Sequence, residues 1–198
     1  MNFFKYKLIL KVLILILSLH NLSIADDISE FEIEGKSIGE SLLDYYSKKE
    51  ISNALQMNYP KSDKYVKYQF KIDNSEYDNL SFHIKKNDPK YKIYEVSGGI
   101  FFNKNFQKCE IHKKKVINDI KLITQNMNEN SYRFFYENLE DGKSYADVVE
   151  FLYANGDIIR MWCVNWSKVV EENLNYADNF SISLTPLQHM NWINKDAY

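Results

Sequence analysis

Glycine, proline and cysteine are all scarce in this chain, at six, three and two among 198 residues. No Pro-, Gly- or Ser-rich stretch marks a linker, so the chain reads as one domain. Nothing resembles C-x-x-C, which excludes a thioredoxin-like redox motif. Arginine is equally rare, with Arg133 and Arg160 standing alone among the 25 basic residues. A formal charge of −2 leaves no clustered basic surface of the kind that nucleic-acid binding requires. Long apolar runs are also missing, apart from one near the start.

That run is the most informative segment present. Lys5, Lys7 and Lys11 surround the beginning of an apolar core, Val12-Leu13-Ile14-Leu15-Ile16-Leu17-Ser18-Leu19, and Ser23-Ile24-Ala25 supplies small residues for cleavage. This is the layout of a secretory signal peptide over residues 1–25. The core is shorter than the roughly 20 residues of a membrane span. A retained anchor beginning at Leu8 is the competing reading. No cysteine stands directly after the core at the cleavage region, which speaks against a lipoprotein anchor. The mature domain would be residues 26–198, periplasmic or secreted, with no stable membrane span after cleavage. With 45% apolar and 15% aromatic residues, it can bury enough surface to offset chain entropy. The many lysines, asparagines, isoleucines and tyrosines look like codon pressure from an AT-rich bacterial genome.

Alternation and capping signals outline the elements. Phe31-Glu32-Ile33-Glu34 reads as a short strand. Ser37 with Glu40, and Ser47 with Glu50, read as capping boxes opening two short helices, with Leu42, Leu43, Tyr46, Ile51 and Leu55 as their buried faces. Val66, Tyr68, Phe70 and Ile72 alternate with polar residues, as do Leu80, Phe82 and Ile84. A third strand is expected over residues 91–102, bent or bulged at Gly98-Gly99. Cys109, Val116, Ile120, Ile123 and Met127 form one helical stripe, with Lys113, Lys114, Lys115 and Lys121 on the solvated side. A polar loop rich in Asn and Glu follows. Phe180, Ile182 and Leu184 mark a last strand, and Thr185 caps a terminal helix with Pro186 first inside it. Strands grouped between helices argue an α+β domain with an antiparallel sheet of about five to six strands.

Asn155-Gly156 lies between two apolar runs, a strong hairpin signal. A two-residue loop would pair Ala154 with Asp157, placing Leu152 beside Ile159 and Val148 beside Cys163. Cys109 on the apolar stripe of the helix then faces Cys163, and a Cys109–Cys163 disulfide is expected. The opposite face of the hairpin would hold Val149, Phe151, Tyr153, Ile158, Arg160 and Trp162. Arginine among aromatics is hot-spot composition, so Phe151, Tyr153, Arg160 and Trp162 are the candidate binding residues. Trp166, Tyr176 and Trp192 are further aromatics of interest.

Catalytic and metal motifs are thin. Gly35-Lys36-Ser37-Ile38-Gly39 matches G-x-S-x-G, but a nucleophile elbow follows several parallel strands, and Ser37 is better read as a helix cap. Gly35-Lys36-Ser37 lacks the earlier glycine of a phosphate loop, since Glu30 occupies that position. His83, His112 and His189 have no ligand spacing, and His83 is expected to face solvent. No metal site, cofactor or catalytic residue is assigned. Paired carboxylates such as Glu137, Glu140 and Asp141, or Glu171 and Glu172, are candidate acid–base groups.

The run from Phe31 to Leu43, with Cys163-Val164-Asn165-Trp166-Ser167, resembles a group of small exported proteins of AT-rich bacterial genomes that has no assigned activity. The opening Ile33-x-Gly35-x-Ser37-Ile38-Gly39 is similar to the start of envelope assembly lipoproteins of the SmpA/OmlA kind, though the lipidated cysteine is missing. The resemblance implies a small α/β adaptor and brings no catalytic residues. The expected function is a non-enzymatic binding domain of the bacterial envelope, with an envelope protein or glycan as partner. The alternative is a small periplasmic hydrolase using loop carboxylates. Export predicts that protein recovered from its own cell envelope begins at Asp26, which intact-mass measurement checks; a chain retaining Met1 would contradict it.

Overall fold

The computed structural model describes residues 27–124, 127–139 and 141–198. The expected signal segment and cleavage site lie outside the described residues. Eight strands form one open antiparallel sheet: β1 (Leu55–Asn58), β2 (Tyr65–Lys71), β3 (Asn79–Lys85), β4 (Ile93–Phe101), β5 (Asn128–Phe135), β6 (Tyr145–Leu152), β7 (Ile158–Asn165) and β8 (Asn179–Thr185). Their spatial order is β1-β2-β3-β4-β8-β7-β6-β5, so two four-stranded meanders meet where β4 pairs with β8. Among the described residues, four α-helices accompany the sheet: α1 (Lys48–Asn53), α2 (Phe106–Ile123), α3 (Lys168–Leu174) and α4 (Leu187–Trp192), the last continuing into a π-turn at Ile193–Ala197.

The α+β class holds, but the sheet has eight strands rather than five to six. The two additions, β1 and β5, are the edges. Every residue of β5 is exposed, so no buried face imprints an alternating pattern on Asn128-Glu129-Asn130-Ser131. Leu55, expected under a helix, lies on β1 and is 60% exposed. The segment near Phe31 makes a single bridge, Ile33 with Lys36, rather than a strand.

Local chemistry explains most of the helix ends. Ser47 and Glu50 form the expected reciprocal box on α1. The Glu40 carboxylate accepts from the Ser37 backbone N–H, yet no helix follows, and Ser41 instead caps a 3₁₀ turn at Leu42–Asp44. Pro186, not Thr185, occupies the cap position of α4, and the Thr185 hydroxyl turns inward to Glu95. On α2, Cys109 and Ile120 are buried as expected, whereas Lys113 is not on the solvated side. Its stem is buried, with Nζ donating to the Asp147 carbonyl at 2.8 Å and pairing with Glu110.

The β6–β7 turn differs from the expected one by a single residue. Gly156, at φ +87°, closes a three-residue loop in which Tyr153 pairs with Asp157. Phe151 therefore faces Ile159, Glu150 faces Arg160 and Val148 faces Trp162. A one-residue slip exchanges the faces of every β6 side chain while leaving β7 unchanged. Val149 and Phe151 thus join Ile159, Met161 and Cys163 in the main core beneath α2. The irregularity expected at Gly98-Gly99 lies elsewhere, between Ile93 and Glu95. Both glycines pair regularly, and the Tyr77 ring occupies the space a Cβ on Gly98 would need.

Because β7 kept its expected facing, Cys109 of α2 meets Cys163 and the disulfide forms. Both sulfurs are fully buried in the core. The bridge closes 54 residues, so replacing both cysteines by alanine should cost on the order of 4 kcal/mol in the loop-entropy account. Urea unfolding of the double variant checks this; an unchanged midpoint would contradict it.

Candidate metal centre

The second face of the sheet is polar over its centre, with a separate apolar cluster of Ala146, Val148 and Val164 at the β6–β7 end. Across the register, Lys67 lies opposite His83, and His83 opposite Glu95. In the next row Gln69, Ser81, Ser97 and Ser183 stand side by side and lead to Arg160 and Glu150. Regular pairing from Ile84 and Ile93 would have set Tyr94 beside His83 and turned Glu95 to the core. The bulge admits Tyr94 as an extra residue and rotates Glu95 onto the His83 face.

The C-terminal segment closes one end of this face. His189 and Trp192 of α4 pack against the Tyr65 ring, Met190 of the same helix is buried, and Trp192 Nε1 donates to the Ser62 hydroxyl at 2.9 Å. Tyr59 packs edge-on to both Trp192 and His83. Arg160 ties the sheet to the cover, with its Nε on Glu150 at 2.6 Å and its Nη2 on the Met190 sulfur at 3.6 Å.

Three groups from separate elements converge beneath this cover. His83 Nδ1 lies 2.5 Å from His189 Nε2, while Glu95 oxygens stand 3.6 Å from the first and 3.7 Å from the second. All three residues are buried, at 4%, 8% and 1% exposure for His83, Glu95 and His189. Behind them, His83 Nε2 shares a hydrogen bond of 2.6 Å with the Tyr59 hydroxyl. The Thr185 hydroxyl donates to Glu95 Oε2 at 3.1 Å. His189 Nδ1 is buried with no hydrogen-bond partner among the described residues.

Burial governs the titration of the cluster. It lowers His83 to about 3, with a further push from the Lys67 ammonium. It lowers His189 to about 4 despite the opposing attraction of Glu95. Glu95 is raised by desolvation, which outweighs His189, Lys67, the Thr185 bond and Arg160. Lys67 is lowered by burial against the pull of Glu95. Both imidazoles are therefore neutral at pH 7 and carry lone pairs, as metal ligation requires. A first-row cation bound at about 2.0–2.2 Å reaches imidazole nitrogen and carboxylate oxygen together, so ligand atoms up to roughly 4 Å apart can share it. One donor atom from each residue lies within 4.8 Å of the others, so a shared cation requires the two imidazoles to move apart and the Glu95 carboxylate to close in or to offer both oxygens.

Glu95 also lines a groove of about 220 Å³ with Lys67, Gln69, Asn79, Ser81, Ser97 and Trp162 among its walls. A wider, shallower depression of about 500 Å³ beside Trp166 and Tyr176 contains no imidazole, amine or carboxylate.

The candidate binding residues do not share one surface. Phe151 and Tyr153 are buried on the α2 side, whereas Arg160 and Trp162 are half-buried on the polar face. The hairpin register explains the separation. Trp192 is part of the C-terminal cover, and Trp166 packs between Tyr136 and Tyr176. His83 does not face solvent: it stands on the strand's polar face, as its alternation indicates, but the terminal helix covers it. His112 lies apart, against Phe102 and Phe180. Glu171 pairs with Lys104 and Glu172 with Lys168, while Asp141 accepts from the Lys143 backbone. None of these carboxylates, nor exposed Glu137, lines the groove, and Glu140 lies outside the described residues. Sequence spacing could not reveal the cluster, whose members are separated by 12 and 94 positions. Its one local trace is Glu95, the only charged residue of β4.

No family model, curated protein or solved structure matches the chain.

The histidine shifts carry a sign. Their folded values lie below the ordinary imidazole value, so the unfolded chain binds more protons as the pH falls from about 6.5 towards 4 and 3. Their contribution to stability is present above that window and is lost within it as the pH falls; the raised Glu95 offsets part of this. In chelator-treated protein, His189→Gln should flatten the pH dependence of urea unfolding between pH 6.5 and 4. An unchanged slope would contradict the assignment.

Proposed function

We propose that this chain is an exported binding domain that holds one first-row divalent cation, of the zinc type, at His83, Glu95 and His189. The observation that carries the reading is the convergence of two neutral imidazoles and one carboxylate, all buried, from β3, α4 and β4. Imidazole nitrogens favour zinc, copper, nickel and iron over magnesium and calcium, which prefer all-oxygen sites. Without a cation, a carboxylate and two lone pairs confined together need a shared proton to avoid an uncompensated cost. Tyr59 and Thr185 supply the outer hydrogen bonds that orient His83 and Glu95.

Export is supported by the N-terminal sequence pattern and by the Cys109–Cys163 disulfide, which suits an oxidising compartment. No helix among the described residues is long and apolar enough to cross a membrane. Three protein ligands leave coordination positions open, and Glu95 borders the groove. A small polar group of an envelope partner or glycan could complete the coordination from that side. The same open position favours a second reading, metal-dependent hydrolysis, in which a bound water occupies it.

Protein purified without chelator should contain about one zinc per chain, measured by elemental analysis, and added Zn²⁺ should raise the melting temperature of stripped protein. His83→Ala and His189→Ala should abolish both effects, and Tyr59→Phe should weaken affinity by roughly 10- to 100-fold. Sub-stoichiometric metal with no thermal response to zinc, copper, nickel or cobalt would overturn the proposal. Turnover of esters, peptides or glycosides by the zinc-loaded protein, absent from the stripped form, would select the hydrolytic reading.

A further inference from the structure

We infer that the free edge of β5 pairs with β5 of a second copy of this chain, antiparallel and centred on Ser131. This rests on the sheet edge alone and is independent of the metal centre. β5 is exposed along its whole length and pairs with β6 through all eight residues without a bulge. Its outer side is a row of backbone donors and acceptors, a template for another strand. Proline and lysine are absent from β5, and Tyr132, Phe134 and Phe135 remain 41%, 53% and 47% exposed; its charges, Glu129 and Arg133, are of opposite sign. The opposite edge, β1, has only four residues.

Strand geometry narrows the register. In an antiparallel strand, alternate residues direct their N–H and C=O groups to opposite sides. On β5 one set is committed to β6, and only the other points outward. Two copies can pair only when residues of the same set face each other, so the two-fold axis must pass through a residue. Centres at Ser131 and at Tyr132 each use all but one residue of the strand. The Tyr132 centre sets Glu129 against Phe135 and Arg133 against Ser131. The Ser131 centre sets Glu129 of each copy against Arg133 of the other, twice.

Charge chooses the second arrangement, and opposite charges facing across strands are favourable. Within one copy Arg133 already holds Asp147 through two bonds of 2.6 and 2.8 Å, and Lys121 holds Glu129 at 2.6 Å. Across the axis these join into a chain of alternating sign, Lys121–Glu129–Arg133–Asp147, repeated by symmetry. Such self-complementarity under a two-fold favours a second copy over an unrelated strand.

Sedimentation of the oxidised full chain should show a monomer–dimer equilibrium, and Glu129→Arg, at an exposed position, should weaken it by about tenfold or more. Ser131→Cys tests the register directly. Directly opposed residues have Cα atoms about 4.5–5.5 Å apart, inside the disulfide range. Under mild oxidation Ser131→Cys should form covalent dimers far faster than Asn130→Cys or Tyr132→Cys, which lie off the axis. The native cysteines are already bridged and do not compete. A monomer at every concentration would overturn the inference, as would equal cross-linking at all three positions. So would recovery of the purified chain with its edge occupied by a different protein.

Discussion

The bulge at Tyr94 is the constraint on which the candidate centre depends. Side chains alternate strictly along a strand, so a glutamate belongs to one face or the other. One extra residue in β4 transfers Glu95 from the core side to the polar side and sets it opposite His83. In regular pairing the carboxylate would enter an apolar layer, and the two imidazoles would have no anion between them. The third ligand group, His189, arrives from the chain end, so the centre joins the middle of the sheet to its cover.

The two faces of the sheet are held by different physics. One is closed by apolar burial under α2 and the segment that contains Ile28, Ile33, Leu42 and Ile51, with the disulfide inside that layer. The other is closed only partly, by an aromatic cluster around Tyr65 and Trp192 and by Arg160 reaching Met190. At the β6–β7 end Ala146, Val148 and Val164 form a third buried cluster with Trp162 and Trp166, and between the two covered ends the polar centre of the face carries the groove. A cation at the junction would bind the terminal helix to the sheet, and metal affinity would then be part of the stability of this end of the fold.

Agreement between sequence and structure follows how strongly each element is buried. β2, β3, β7 and β8 have one face in the core, and their alternation placed them correctly. α2 and the disulfide followed because β7 kept its facing. The edges β1 and β5 have no such pattern, since neither face is covered. The hairpin failed for a different reason: Asn155-Gly156 serves two loop lengths, and a single residue decided whether Phe151 and Tyr153 belong to the core or to the surface.

For the site, the sequence by itself determined the polar character of one sheet face and the residues available there. Lys67, His83, Trp162 and Ser181 all alternate with core residues, and Pro186 onward reads as a terminal helix. Only the tertiary structure decided that this helix folds over that face, that the bulge turns Glu95 towards it, and that His83 is therefore buried rather than wet. The physical reason is range. Alternation and capping act over a few residues and are written into local composition, whereas the approach of positions 83, 95 and 189 depends on strand register and on how the chain end packs, which no local pattern encodes.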